Sequence, residues 1–246
     1  MKTLLWKFLN AVLAPLGYEL CARKPGPPPA TMDGGLARAR ERGENVGTVI
    51  DLGAAQGRWT RKALKHFPSA RYLLIEPLDE RRSFLEALHT QHTNVDFVIA
   101  AAGDHEGTAE LSVSPDLDGS GIYGDAASNG VKRAVPLTTL DSEILRRGLP
   151  APFLLKFDTH GFELPILAGA TETLKQTAII VLEAYNFKLS AGSPRFHEIC
   201  AHMESLGFRC ADLVDPMLRA RDQLLWQFDL FFLPAGHPAF SSDAYA

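Results

Sequence analysis

The sequence predicts an α/β fold, a mostly parallel seven-stranded sheet with helices on both faces that ends in an antiparallel C-terminal hairpin. Three observations carry this. From residue 36 onward, short apolar runs alternate with stretches of helical periodicity, the pattern of strands joined by crossover helices. The first apolar run opens straight into a glycine turn, as in folds that bring backbone close to a ligand. The last two runs, 209–214 and 227–233, are joined by too few residues for a crossover helix and should pair antiparallel.

The elements follow in order. Residues 1–20 place Leu5, Phe8, Leu9, Val12, Leu13 and Leu16 at helical spacing beside Lys2 and Lys7. Lys7 and Asn10 interrupt the apolar run that a signal peptide would need. This helix either packs on the domain or a partner, or lies on a membrane surface with Trp6 and Phe8 in lipid. Residues 24–35, KPGPPPATMDGG, read as an extended linker with a flexible Gly-Gly end. The division is therefore 1–35, amphipathic helix and linker, and 36–246, the main domain. Strands are expected over 48–52, 71–75, 95–100, 153–157 and 178–182, with helices over 58–66, through Leu85 and Leu88, near 164–174 and over 196–206. Residues 108–113 and 133–137 read as extended arms around a polar loop.

Bulk properties exclude several classes. Of 246 residues, 46% are hydrophobic and the net charge is −4. A chain of this length suits one α/β domain, and the absence of a basic field argues against a nucleic-acid partner. The three cysteines, Cys21, Cys200 and Cys210, form no C-x-x-C pair, so neither a disulfide framework nor a zinc site is expected. A cytoplasmic location follows, with the inner membrane surface as the alternative if the N-terminal helix meets lipid.

Three motifs carry chemistry. In VIDLGAAQG, residues 49–57, Asp51 precedes Gly53 and Gly57 in a G-x-x-x-G spacing. A dinucleotide fingerprint would be G-x-G-x-x-G. The spacing here suits a ligand's amino-acid and ribose portions better than a pyrophosphate. In LLIEP, residues 73–77, Glu76 ends the second strand 25 residues after Asp51, about where a ribose-binding carboxylate occurs in nucleotide-binding folds. In LLKFDTHGFE, residues 154–163, Lys156 and Asp158 share a strand face at its carboxyl end. A buried ammonium needs a partner, and Asp158 and Glu183 are the candidates. The structural alternative for this pair is a simple ion pair.

These blocks, with AAAGDHEGTAEL, VPLTTLD, LLKFDTHGFELPILAGA and RDQLLWQFDLFFLP, resemble successive blocks of FkbM-type methyltransferases over residues 46–234. The resemblance implies the Rossmann-like fold of S-adenosylmethionine (SAM)-dependent methyltransferases. It also implies SAM as methyl donor and, most often, O-methylation of a hydroxyl on a sugar, glycan or secondary metabolite. Carried onto this chain, cofactor contacts are expected at Asp51, Gly53, Ala54, Ala55 and Gly57, and at Glu76, Pro77, Ala101 and Asp158. Asp158, His160 and Lys156 are the catalytic candidates, with His160 standing where many relatives carry Glu or Gln. Glu163, Glu183 and Tyr123 are expected to contact the acceptor, Tyr123 from the polar loop 114–130. No metal is assigned, although Mg²⁺ beside Asp158 and Glu183 is an alternative. The sequence sets neither the acceptor nor the oligomeric state. The rival functions are a nicotinamide-dependent oxidoreductase and a non-catalytic scaffold. The missing third phosphate-loop glycine and the antiparallel tail speak against the oxidoreductase, and the intact nucleotide motifs speak against the scaffold.

Overall fold

The computed structural model describes residues 9–16, 30–122, 130–190 and 192–245. Its main sheet has seven strands in the order β3-β2-β1-β7-β8-β10-β9. These are β1 (Thr48–Leu52), β2 (Arg71–Glu76), β3 (Val95–Ile99), β7 (Phe153–Phe157), β8 (Thr177–Tyr185), β9 (Phe208–Leu218) and β10 (Leu225–Pro234). β3, β2, β1, β7 and β8 run parallel, and β10 pairs antiparallel with both β8 and β9. The expected fold class and hairpin are therefore present. The central strands β1 and β7 are buried at every residue, which is why they read as continuous apolar runs instead of alternating ones.

Helices cover both faces and divide the core in two. On one side α1 (Met32–Glu41), α2 (Arg58–His66) and α3 (Arg82–Gln91) pack on Val49, Leu74, Leu154, Val181 and Phe231. On the other side Ile50, Ile75, Leu155, Phe157, Leu182 and Phe232 form the second core. It is closed by α4 (Leu140–Arg147), α5 (Glu163–Ala168), α6 (Thr171–Leu174) and α7 (Phe196–Ser205). The stretch expected as one helix near 164–174 is thus two short ones. Between β3 and α4 the chain builds a second sheet, β4-β6-β5, from β4 (Ala101–Ala102), β5 (Gly107–Val113) and β6 (Val131–Thr138). It has its own apolar cluster of Leu78, Ala101, Leu111, Val113, Val135 and Leu137. The two expected extended arms are its antiparallel pair β5 and β6.

The order places a topological switch between β1 and β7. The chain steps outward from β1 to β3, then returns to β7 on the other side of β1. Loops leaving the carboxyl ends of β1 and β7 diverge there and open a crevice, the usual ligand position in open α/β sheets.

The linker boundary needs correction. Residues 32–35 are not a flexible tail but the first turn of α1, which starts at Met32 with Thr31 as N-cap. The Thr31 side chain accepts from the Gly34 N–H at 3.2 Å, and the Met32 N–H donates to Asp215 at 3.1 Å. Arg38 pairs with Asp212 at 2.6 Å. Gly-Gly reads as a helix breaker, but packing overrides propensity. A Cβ at Gly35 would lie 2.8 Å from the Phe231 ring and 3.0 Å from Val214, so glycine lets α1 dock closely on the sheet. Of the expected N-terminal helix, residues 9–13 are α-helical and 14–16 form a 3₁₀ turn, with Leu9, Val12 and Leu16 exposed. The rest of it, and most of the expected linker, lie outside the described residues. Among the described residues no helix is long and apolar enough to cross a membrane.

Gly35→Ala gains about 1 kcal/mol of helix propensity. It also pushes a methyl into a filled site, which costs about 1–3 kcal/mol. The expected net outcome is destabilisation, read as a lower urea midpoint. A higher midpoint would show that α1 does not need that close approach.

Candidate active site

A cavity of about 260 Å³ opens at the carboxyl edge of the sheet. Gly53, Ala55, Glu76, Pro77 and Ala101 line it from the ends of β1, β2 and β4, and Asp158 and His160 line it from the turn after β7. Leu78, Leu111, Leu117, Ile122 and Phe162 supply apolar wall. The second sheet and the described part of the polar loop, with Asp118, Ser120 and Gly121, form its other side. Half of the residues proposed from sequence therefore meet at one place.

Glu76 is buried and held by backbone. Its Oε2 accepts from the Ala55 N–H at 2.8 Å and its Oε1 from the Leu78 N–H at 2.9 Å. Burial raises its pKa, while these two N–H groups and Arg81 oppose the rise. Gly53 adopts φ +76°, and a Cβ there would fall 2.0 Å from the Asp158 carbonyl oxygen. Glycine is what allows the turns after β1 and β7 to touch.

Asp51, Ala54 and Gly57 do not line the cavity. Side chains alternate along β1, so Asp51 shares a face with Val49 and meets α2. There the Thr60 hydroxyl donates to its Oδ2. Burial pushes the Asp51 carboxyl up to about 7, with Thr60 and Lys156 opposing.

Lys156 has the expected acid Asp158 within ion-pair distance, but also a closer partner that the sequence reading did not name. Its Nζ is 2.6 Å from Asp229 on β10 and 3.9 Å from Asp158. It also donates to the Phe157 carbonyl at 3.1 Å. Lys156 is buried and does not line the cavity. Register explains the choice. Asp229 lies opposite Glu183, and Lys156 opposite Val181, on the same sheet face. Burial lowers the pKa of this ammonium, but Asp229, Asp158 and Glu183 together outweigh burial and raise it. An acid inside the apolar run QFDLFFLP was the available signal, because a buried carboxylate requires a cation or donors.

Asp158 lies one residue past β7, and His160 follows at φ +53°. His160 Nε2 is 3.5 Å from Asp158 Oδ1 and 3.8 Å from Glu183 Oε2. Its Nδ1 is 3.1 Å from the Ser120 carbonyl. Glu183, at the end of β8, receives donations from Tyr185 and Gln227. Burial and then the Asp158 charge push the Glu183 carboxyl up to about 7. Glu163 lies outside the cavity. It accepts from the Gly161 N–H at 2.9 Å and the Thr159 hydroxyl at 3.1 Å, bracing the turn that carries His160. Tyr123 lies outside the described residues.

Arg81 is a cavity residue that sequence reasoning missed. It is buried, its guanidinium donates to Asp118, and its Nε has no partner among the described residues. Nothing in the periodicity of LDERR marks it, because the 3₁₀ turn at Asp79–Arg81 is too short to show one.

The family model for the methyltransferase FkbM domain matches residues 51–210. The chain belongs to the FkbM methyltransferase domain family. No curated protein sequence matches it. Among solved structures, the FkbM methyltransferase from Methylobacillus flagellatus KT superposes with TM-score 0.51 at 16% identity. That match covers 76% of this chain and 43% of the other, so this chain spans less than half of that relative's length. The Burkholderia thailandensis 1,6-didemethyltoxoflavin-N1-methyltransferase, solved with S-adenosylhomocysteine, gives 0.47 at 12% identity, covering 83% and 78%. The magnesium protoporphyrin IX methyltransferase from Synechocystis PCC 6803, solved with bound SAM, gives 0.45 at 10%, covering 82% and 77%.

Two expectations follow for this FkbM domain. Lys156→Met strands a half-buried Asp229 and should cost about 2–4 kcal/mol, while Lys156→Met with Asp229→Asn should recover much of it. Equal losses in the single and double variants would disprove the pairing. Asp51 holds a proton in the folded chain that the unfolded chain releases above its ordinary value of 3.8. Folding therefore takes up a proton from this group between about pH 4 and pH 7, and its contribution to stability falls as pH rises through that window. Asp51→Asn should flatten the stability-versus-pH curve there, and a parallel curve would refute the burial assignment.

Proposed function

We propose that the chain is a SAM-dependent O-methyltransferase acting on a hydroxyl of a sugar, glycan or secondary-metabolite acceptor. The observation that carries this is the shared cavity, with the backbone-held Glu76 carboxylate in one wall and Asp158 with His160 in another.

The residues present fit the cofactor. Glu76 spends one acceptor position per oxygen on Ala55 and Leu78, which leaves capacity for ribose hydroxyls. The apolar wall at Pro77, Leu78 and Ala101 suits an adenine ring. The backbone at Gly53 and Ala55 would border the amino-acid portion, with Asp51, Ala54 and Gly57 shaping that turn from behind. When bound, SAM supplies a methyl carbon on a positively charged sulfur, which an oxygen nucleophile accepts while the carbon–sulfur electron pair remains on sulfur.

The chain's own residues do the rest. The cavity wall holds the acceptor oxygen in place, which is the main source of rate for an already activated donor. Asp158 or His160 receives the hydroxyl proton. Lys156 is a positioning residue, because it touches the site only through Asp158, Asp229 and Glu183. The acceptor would enter past the loop that carries Ser120 and, further on, Tyr123, with Glu163 and Glu183 supporting the floor. Free Cys200 and Cys210 suit a reducing cytoplasm.

Calorimetry with S-adenosylhomocysteine, with NAD as the comparison, tests the cofactor. S-adenosylhomocysteine should bind and NAD should not. Glu76→Gln should weaken binding about tenfold or more, the loss of charged acceptors to hydroxyl donors. An unchanged affinity in that variant removes Glu76 from the site, and the absence of any S-adenosylhomocysteine binding removes the proposal. Labelled SAM offered with sugars, nucleotide sugars and glycosylated metabolites then reads the acceptor class.

A further inference from the structure

We propose that Asp158, His160 and Glu183 form a divalent-cation site in the wall of this cavity, with open coordination positions for an acceptor oxygen. The inference rests on the methyl-transfer reading only for what the cation would do. The site itself stands on geometry. One imidazole nitrogen and two carboxylate oxygens from these residues lie within 4.8 Å of one another.

The state of His160 points to a cation. A backbone carbonyl only accepts, so the 3.1 Å contact between Nδ1 and the Ser120 oxygen requires the proton on Nδ1. In the neutral ring, Nε2 then presents a lone pair. That lone pair faces Asp158 Oδ1 at 3.5 Å and Glu183 Oε2 at 3.8 Å. Both separations exceed a hydrogen bond of about 2.7–2.9 Å between such groups. Three groups that can each offer an electron pair converge on one point, a position that a positive charge among them would stabilise. Ligands about 2.1 Å from one metal ion stand about 3.0–3.4 Å apart, so small side-chain movements would close this set around an ion.

The surroundings resemble the outer shell of a metal site. The Ser120 carbonyl fixes the histidine tautomer, as ligating imidazoles usually require. Tyr185 and Gln227 donate to the two Glu183 oxygens and hold that carboxylate in place. Lys156 is in direct contact with Asp229 and 3.9 Å from Asp158, so Asp229, Asp158 and Glu183 share this one fixed cation. An imidazole with two carboxylates suits a first-row ion such as Mn²⁺ or Zn²⁺ better than Ca²⁺. Asp158 and His160 line the cavity, so the remaining coordination positions face the space an acceptor would occupy. A hydroxyl bound there loses its proton to water more readily. In the loaded site His160 is therefore a ligand and not the proton acceptor.

The test uses the full chain, stripped with EDTA and dialysed, and titrated with Mn²⁺ while the free-ion electron paramagnetic resonance signal is followed. A single Mn²⁺ per chain is expected. His160→Ala and Asp158→Asn should each weaken it about tenfold or more, with circular dichroism and thermal unfolding confirming the fold. Glu172→Gln, in the exposed pair with Lys175, should leave binding unchanged. Failure to bind Mn²⁺ stoichiometrically overturns the site. Binding that persists in the His160→Ala, Asp158→Asn double variant overturns it as well. S-adenosylhomocysteine titrated into the same samples separates the two proposals. Its binding without Mn²⁺ binding rejects the cation site and keeps the methyltransferase reading. Mn²⁺ binding without it keeps the cation site and rejects that reading.

Discussion

The buried ammonium of Lys156 is the fixed point of the site. It lies where the carboxyl ends of β7 and β8 meet the antiparallel β10, and three acids converge on it: Asp229 in direct contact, with Asp158 and Glu183 beyond. An ammonium inside a protein is costly unless paired, and pairing alone seldom repays the desolvation of both charges. What the pair supplies is placement. With Asp229 held on Lys156, the strand registers set where Glu183 and Asp158 stand. Lys156 also takes the Phe157 carbonyl at the last residue of β7, which secures the point from which the Asp158–Gly161 turn departs. The antiparallel tail is thus part of the site and not only an edge of the sheet.

The other end of the cavity is built from backbone. The Glu76 carboxylate bridges the Ala55 and Leu78 amides, tying the turn after β1 to the turn after β2. The missing side chain of Gly53 lets the β1 turn rest against the Asp158 carbonyl. These contacts join three strand ends into one rim. A change at any of the three turns would therefore move the others, because interiors at this packing density transmit displacement instead of absorbing it.

How far the sequence could be read depended on how local each cause was. Buried strands announce themselves through uninterrupted apolar runs, and both the strand set and the C-terminal hairpin were legible from that alone. The place of Glu76 and Asp158 at the rim of a crevice was legible, because both stand at strand ends of an open α/β sheet, and both line the cavity. Asp51 was read as a ligand contact, but its side chain faces α2 and Thr60. Motif spacing marks the turn without saying which face a side chain takes. The nearest partner of Lys156 was missed because strand order, a long-range property, decides whether Asp158, Glu183 or Asp229 comes closest. The start of α1 was hidden by Gly34 and Gly35, because the close packing of Gly35 on the Phe231 ring comes from a part of the chain nearly two hundred residues away. Arg81 carried no local signal at all.

The division between floor and roof bears on selectivity. The floor comes from the main sheet, and its polar groups are largely committed: Glu76 to two amides, Lys156 to Asp229, Glu163 to the Gly161 turn. The roof comes from the excursion between β3 and α4, which packs Ala101, Leu111, Val113, Val135 and Leu137 around Leu78 from the turn after β2. It meets the floor through the Arg81 contact to Asp118, the Arg133 pair with Glu80 and the His160 contact to the Ser120 carbonyl. On the proposed function, the roof is the wall an acceptor would meet opposite Asp158 and His160. His160 belongs to both, with its backbone in the floor and its Nδ1 on the roof, so a change in the chain at Ser120 would reach the His160 ring directly.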